Sequence, residues 1–190
     1  MDGTVTHTRR ALIALALTLF GLAPHPALAG RTVLEGGSVD VYFAPRDNIS
    51  ARVAEFVGQA HSRVWVAGYY FTHPDVARAI AQAKERGLDV RVVLDSSQVG
   101  ERYSGATYLR NHNVPVWVNA RHAVMHHKFI VRDSDGVAFG SANFTKAAMG
   151  GGRGDAASSN AENFNLFTGQ PALTKQYAEE FGRLAAESTQ

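Results

Sequence analysis

The sequence contains no cysteine in its 190 residues. This absence excludes a disulfide framework, a thiolate nucleophile and thiolate-bound zinc or iron–sulfur sites. It also suits export, because no thiol can mispair in an oxidising compartment. Net charge is also scarce, since 19 Lys and Arg residues against 17 Asp and Glu residues leave only +2. So weak a bulk charge would not hold a polyanion, and phosphate binding would require a local patch.

The chain also lacks a long apolar run. The apolar stretch at 11–22 is shorter than the roughly 20 residues that a transmembrane helix needs. Two arginines precede it, and Ala-Leu-Ala at 27–29 gives a small-x-small cleavage pattern. This three-part pattern predicts a signal peptide over residues 1–29 and a periplasmic or secreted protein, with the export route left open. A membrane anchor or a buried helix is the alternative interpretation.

Strand and helix patterns alternate along residues 30–190, whose length fits one domain. We predict a single-domain α/β fold in which a mixed, largely parallel sheet is sandwiched between helices. Predicted strands cover 39–43, 64–71, 90–94, 114–118, 126–131, 137–141 and 162–167, and predicted helices follow Asn48, begin at Pro74, and cover 106–111 and 171–184. The segment 149–160 is too rich in Gly and Ser for an element and predicts a mobile loop.

The residues that suggest chemistry lie close together in the second half of the chain. His126 and Lys128 are two residues apart on a predicted strand, so their side chains should share a face. Asn143 follows the next predicted strand and should reach the same point. An imidazole, an ammonium and an amide that converge at strand ends would form a pocket for a phosphodiester.

The chemistry of such a pocket needs no metal, and we predict no cofactor. An imidazole is a competent nucleophile near neutral pH, because a good fraction of it is unprotonated. Lys128 would stabilise the negative charge that develops on the non-bridging oxygens, and Asn143 and Ser141 would donate hydrogen bonds. Glu162 would orient His126 through the second ring nitrogen.

The run from His126 to Asp133, His-His-Lys-Phe-Ile-Val-Arg-Asp, resembles the HxKxxxxD motif of the phospholipase D superfamily, and Gly140-Ser-Ala-Asn143 resembles its usual GSxN sequel. The resemblance extends from the strand at 39–43 to the final helix. It implies that one motif histidine forms a phosphohistidine while a second protonates the leaving group. This chain has one copy of the motif. By similarity to the small single-motif bacterial endonucleases, two chains should form a homodimer with both His126 side chains in one site at the interface.

The resemblance also implies roles for the neighbouring residues. Among the catalytic group, Asp133 would have a supporting, orienting role and Glu162 would be a histidine partner. The phosphate would contact Lys128, Asn143 and Ser141. We therefore expect an exported, metal-independent phosphodiesterase that hydrolyses DNA or RNA without sequence preference. A phospholipase D that cleaves phospholipid head groups is the alternative, and a binding module without turnover is opposed by the intact motif.

Two further interpretations concern neighbouring side chains. His122, His126 and His127 could form a metal cluster, but consecutive residues on a strand point to opposite faces, so we expect His127 to pack or to lie on the surface. Aromatic residues at 69–71 could stack on bases or pack in the core.

The cations that could line a nucleic-acid groove are Arg102, Arg110, Arg121 and Arg153. The low net charge predicts modest affinity and strong salt sensitivity.

Overall fold

The computed structural model describes residue 34 and residues 36–98, 105–150 and 158–190. These residues all belong to one compact unit, Thr32–Gln190. The predicted signal peptide lies outside the described residues, as does most of the Gly-rich segment, and both remain predictions.

Seven strands form one sheet in the order β1-β7-β6-β5-β2-β3-β4. The strands are β1 (Ser38–Ala44), β2 (Arg63–Gly68), β3 (Asp89–Asp95), β4 (Val116–Asn119), β5 (Lys128–Arg132), β6 (Gly136–Gly140) and β7 (Glu162–Thr168). The expected mixed sheet is confirmed, but "largely parallel" needs correction. Only β2, β3 and β4 run parallel, and all other neighbouring strands are antiparallel. The strands β2, β3 and β4 follow one another in the chain and lie side by side, and the helical connections between them are the crossovers that a parallel pair needs.

The helices are α1 (Ile49–Gly58), α2 (Pro74–Glu85), α3 (Gly105–Asn111), α4 (Lys146–Met149) and α5 (Pro171–Ala186). The predicted caps are confirmed: the Asn48 side chain accepts a hydrogen bond from Ala51 N at 3.1 Å, and α2 begins at Pro74. The sequence did not predict α4. Within the described ranges, no helix combines the length and the apolar character needed to cross a bilayer.

Alternating strand residues divide the core between two faces of the sheet. Val66 and Ile130 pack with α1 and α2, whereas Ala67 and Phe129 pack with Phe181 of α5. Full burial of one large apolar side chain contributes about 1.5–3 kcal/mol. The two helical layers therefore hold the sheet, and with it the strand ends, in a fixed position.

The connection between β4 and β5 determines where the motif histidine lies. These strands are separated in the sheet by β2 and β3, so residues 120–127 must cross the carboxyl ends of both. His126 lies at the end of this crossing segment.

Candidate active site

The sequence-predicted site residues gather at one edge of the sheet, where β2, β3 and β6 end and where β5 and β7 begin. Gly68 at the end of β2 pairs with Lys128 at the start of β5. The predicted strand began at His126, but β5 begins at Lys128. His126 therefore precedes the strand, and it is exposed to solvent.

Tyr69, which directly follows β2, links the two motif residues. Its ring centroid is 4.9 Å from that of the His126 imidazole, and the Nζ of Lys128 lies 5.5 Å from the Tyr69 ring centroid. The same Nζ donates a hydrogen bond to the backbone carbonyl of His126 at 2.7 Å. The structure thus brings His126 and Lys128 together, as the spacing predicted.

Lys128 is a buried cation, only 7% exposed. Burial lowers the pKa of its ammonium, and the nearby Glu162 carboxylate partly offsets this effect. A partly desolvated charge interacts more strongly with a phosphate than a charge in bulk water does. Lys128 is therefore well placed to stabilise an anionic group beside His126.

Glu162 is engaged within its own chain. One of its carboxylate oxygens accepts a hydrogen bond from Ser141 Oγ at 2.5 Å, and the other accepts one from Asn160 Nδ2 at 3.0 Å. Ser141 Oγ in turn accepts a hydrogen bond from Asn163 N at 3.0 Å. Within one chain Glu162 orients Ser141, whose hydroxyl proton points to Glu162, and its role as a partner of His126 stays a prediction.

Asn143 follows β6 at the same edge of the sheet. Its side-chain oxygen is buried and has no hydrogen-bond partner in the part of the chain that the structure describes. An unsatisfied buried polar group costs about 1–3 kcal/mol, and in native proteins such groups concentrate where function requires them. The position of Asn143 is consistent with its predicted part in the site.

Asp133 lies elsewhere. It follows the far end of β5, and its carboxylate accepts hydrogen bonds from the backbone N–H groups of His61, Ser62 and Arg63 and from Ser62 Oγ. Arg63 begins β2, whereas His126 contacts the residue after the end of that strand. The structure does not bring Asp133 to the other site residues, and its supporting role stays a prediction. Its carboxylate anchors the start of β2.

Sequence reasoning missed Asp95 as a site residue. Asp95 ends β3, is 4% exposed, and accepts a hydrogen bond from Met125 N, directly before His126, at 2.7 Å. The sequence did contain a signal for it. Asp95 directly follows the predicted strand 90–94, and polar residues at the carboxyl ends of parallel strands often face the ligand.

The other two histidines near the motif point to separate partners, one on α5 and one directly after it. His122 Nε2 lies 3.0 Å from Glu187, and His127 Nε2 lies 3.2 Å from Glu180. Arg183 bonds both carboxylates. This geometry disfavours a shared metal centre with His126, and it places His127 on the surface as expected.

The surroundings of the site are partly apolar and partly cationic. A cavity of about 330 Å³ adjoins His126, and its wall includes Val124 and Leu184. Tyr70 is exposed, whereas Phe71 is fully buried and belongs to the core. Of the predicted groove cations, Arg121 is exposed on the segment that leads to His126. Arg110 is exposed but donates a hydrogen bond to Val116 O at the start of β4, away from the site, and Arg102 and Arg153 lie outside the described residues.

A family model described as "cardiolipin synthase, PLD-like domain" matches residues 53–185. The chain belongs to the phospholipase D superfamily. Members of this superfamily are phosphodiesterases.

The chain is 31% identical over 141 residues to the mitochondrial cardiolipin hydrolase of Xenopus tropicalis, covering 74% of this chain and 63% of that protein. It is 26% identical over 115 residues to a phospholipase D of Rickettsia bellii, covering 60% and 57%. The chain thus spans less than two thirds of each relative.

Solved structures of this superfamily share the fold. Nuc from Salmonella typhimurium, a phospholipase D family member, matches with a TM-score of 0.73 and 29% identity, covering 81% of this chain and 97% of that one. NucT from Helicobacter pylori matches with a TM-score of 0.71 at 20% identity, a likeness of fold alone. The expected family and the mixed α/β fold are both confirmed.

Proposed function

We propose that this protein is an exported, metal-independent phosphodiesterase that cleaves nucleic acid with His126 as its nucleophile. The observation that carries the proposal is the convergence at one sheet edge of the exposed His126 imidazole and the buried Lys128 ammonium, with the Tyr69 ring against both. Membership of a phosphodiesterase superfamily supports the same chemistry.

In the proposed reaction, an imidazole nitrogen of His126 attacks phosphorus, and the bond from phosphorus to the leaving oxygen breaks. Lys128 stabilises the charge that builds on the non-bridging oxygens. A second histidine gives its proton to the leaving oxygen, and then takes a proton from the water that hydrolyses the phosphohistidine. These steps regenerate His126 and the protonated second histidine.

The second histidine is proposed to be His126 of another copy of this chain, because one chain carries one motif. An apolar strip on β1 supports pairing: Val39, Val41 and Phe43 are 45%, 47% and 49% exposed, on the sheet face opposite α1. Large apolar side chains exposed on an edge strand invite association. The strip reaches the site edge, since Phe43 pairs with Asn163, next to Glu162.

Nucleic acid is the proposed substrate. The exposed Tyr70 offers a surface on which a base could stack, and Arg121 could bind the polymer backbone. Phospholipid is the second candidate, because curated relatives are named as a phospholipase D and a cardiolipin hydrolase. The signal-peptide pattern at 1–29 supports export to the periplasm or beyond.

The test is a substrate panel with residues 30–190 in excess EDTA. Plasmid DNA, single-stranded RNA, phosphatidylcholine and cardiolipin vesicles are each incubated with the wild type, His126→Ala and His127→Ala. We expect cleavage of nucleic acid that survives EDTA, is lost in His126→Ala and persists in the neighbouring control, His127→Ala. Turnover of lipid alone would replace the proposed substrate, and cleavage abolished by EDTA would contradict the mechanism.

A further inference from the structure

The segment that carries His126 has no strand or helix of its own to hold it. Residues 120–127 leave the outer strand β4 and cross the ends of β3 and β2 before they enter β5. The position of the nucleophile therefore depends on the side chains that those strand ends present to the crossing segment.

Asp95 makes such a contact from the last position of β3. One carboxylate oxygen accepts a hydrogen bond from Met125 N at 2.7 Å, and the other accepts one from Ser97 N at 2.9 Å. Asp95 is 4% exposed. Hydrogen bonds to a charged acceptor are roughly twice as strong as neutral ones, so this buried carboxylate is a firm anchor for the crossing segment.

Met125 is held on its side chain as well. It is 2% exposed and packs in the core on the α5 face, in the cluster that includes Phe129 and Leu184. With the backbone N–H fixed by Asp95 and the thioether side chain fixed by the core, the peptide that leads into His126 has a defined direction.

The surroundings of Asp95 also favour its ionised form. Burial opposes ionisation of Asp95, but hydrogen bonds from Ser97 and Met125, together with the attraction of His126, outweigh it and lower the pKa of the carboxyl. Asp95 is therefore held in its ionised form, in which its hydrogen bond from Met125 N is strongest.

We propose that Asp95 is a positioning residue that fixes the backbone directly before His126 and so aims the imidazole at phosphorus. This inference rests on the proposed function, in which His126 is the nucleophile. Asp95 contacts Met125 and Ser97, and in this role it acts through His126 without touching the reacting atoms. Because a displacement of roughly 1 Å costs about a hundredfold in rate, we expect its loss to slow phosphohistidine formation about ten- to a hundredfold.

The experiment measures the burst of p-nitrophenolate from bis(p-nitrophenyl) phosphate, a probe that does not depend on the natural substrate. Asp95→Asn removes the charge at nearly constant shape. Asp89→Asn is the matched control, because Asp89 begins the same strand, is exposed and pairs with Arg91. If Asp95→Asn does not fold, Asp95→Glu replaces it, since it keeps the charge but moves the carboxylate by one methylene.

The burst rate constant reports positioning, whereas the burst amplitude reports the folded fraction. We expect the rate constant to fall about ten- to a hundredfold in the Asp95 variant, with amplitude and KM nearly unchanged, and no change in the Asp89 control. A lower amplitude at an unchanged rate constant would overturn the inference and leave the proposed function standing. A wild-type burst that persists in His126→Ala would overturn both.

Discussion

Replacing Asp133 with Asn separates a structural role from a catalytic one. The Asp133 carboxylate accepts four hydrogen bonds, at 2.7–3.1 Å, from the backbone N–H groups of residues 61–63 and from Ser62 Oγ. Asn removes the charge of this acceptor and turns the second oxygen, which lies 3.1 Å from His61 N, into a donor that faces that N–H. Hydrogen bonds to charged groups contribute about 1.5–3 kcal/mol each but do not add fully, so we expect a loss of about 2–4 kcal/mol in the free energy of unfolding.

The same contacts set the pH dependence of this stabilisation. Burial alone would raise the pKa of Asp133, but the hydrogen bonds from Ser62, Arg63 and His61 outweigh burial and lower it. A group whose pKa is lower in the folded state stabilises the protein above its unfolded pKa, which is about 3.9 for Asp. The stability difference between wild type and Asp133→Asn should therefore be full at neutral pH and disappear as the pH falls through the folded-state pKa.

Urea unfolding, followed by the fluorescence of the two tryptophans, measures this difference at neutral and acidic pH. Asp135→Asn is the control in the same turn, because the Asp135 contact with Gln170 N uses the backbone carbonyl, which the substitution keeps. The kcat of folded Asp133→Asn should stay close to that of the wild type. A variant with unchanged stability but abolished kcat would refute the structural role and return Asp133 to the catalytic group.

Three further outcomes are expected. Lys128→Met should lower kcat about 10²–10³-fold, because the developing negative charge loses its stabilisation. It should not lower the free energy of unfolding, because the substitution removes a buried ammonium. An effect confined to KM would argue against this role. Val41→Asp should shift the protein from dimer to monomer in sedimentation and remove activity, whereas Asp40→Asn should not; an active Val41→Asp monomer would contradict the shared site. Plasmid cleavage below saturation should fall steeply between about 50 and about 200 mM salt, and a flat response would speak against binding through phosphates.

The sequence predicted most elements because their signals are local. The Asn48 cap, the proline at the start of α2 and the short apolar runs of the strands each lie within a few residues. The order of the strands depends on long-range pairing, such as Val66 beside Ile130, and the pattern of single strands does not encode it. The four-residue helix α4 is too short to show a periodicity.

The site was predictable where its residues lie close together in the sequence. His126 and Lys128 are two residues apart, and they do meet. The partners of Asp133 are 70–72 residues away in the sequence, and Met125, whose N–H donates to Asp95, is 30 residues from it. No local sequence pattern therefore indicates these contacts. The contact of Glu162 with Ser141 is also long-range, because the pairing of β6 with β7 brings these two residues together.

The most direct test of the central claim is the detection of a phosphoryl group covalently bound to His126, which with the diester below is a p-nitrophenyl phosphoryl group. The wild type is mixed with bis(p-nitrophenyl) phosphate in EDTA, quenched in alkaline denaturant to preserve phosphohistidine, digested and examined by mass spectrometry. We predict an adduct on His126 that disappears in His126→Ala, with none on His122 or His127. An enzyme that turns over the substrate in EDTA without any adduct on His126, or an adduct that persists in His126→Ala, would contradict the account.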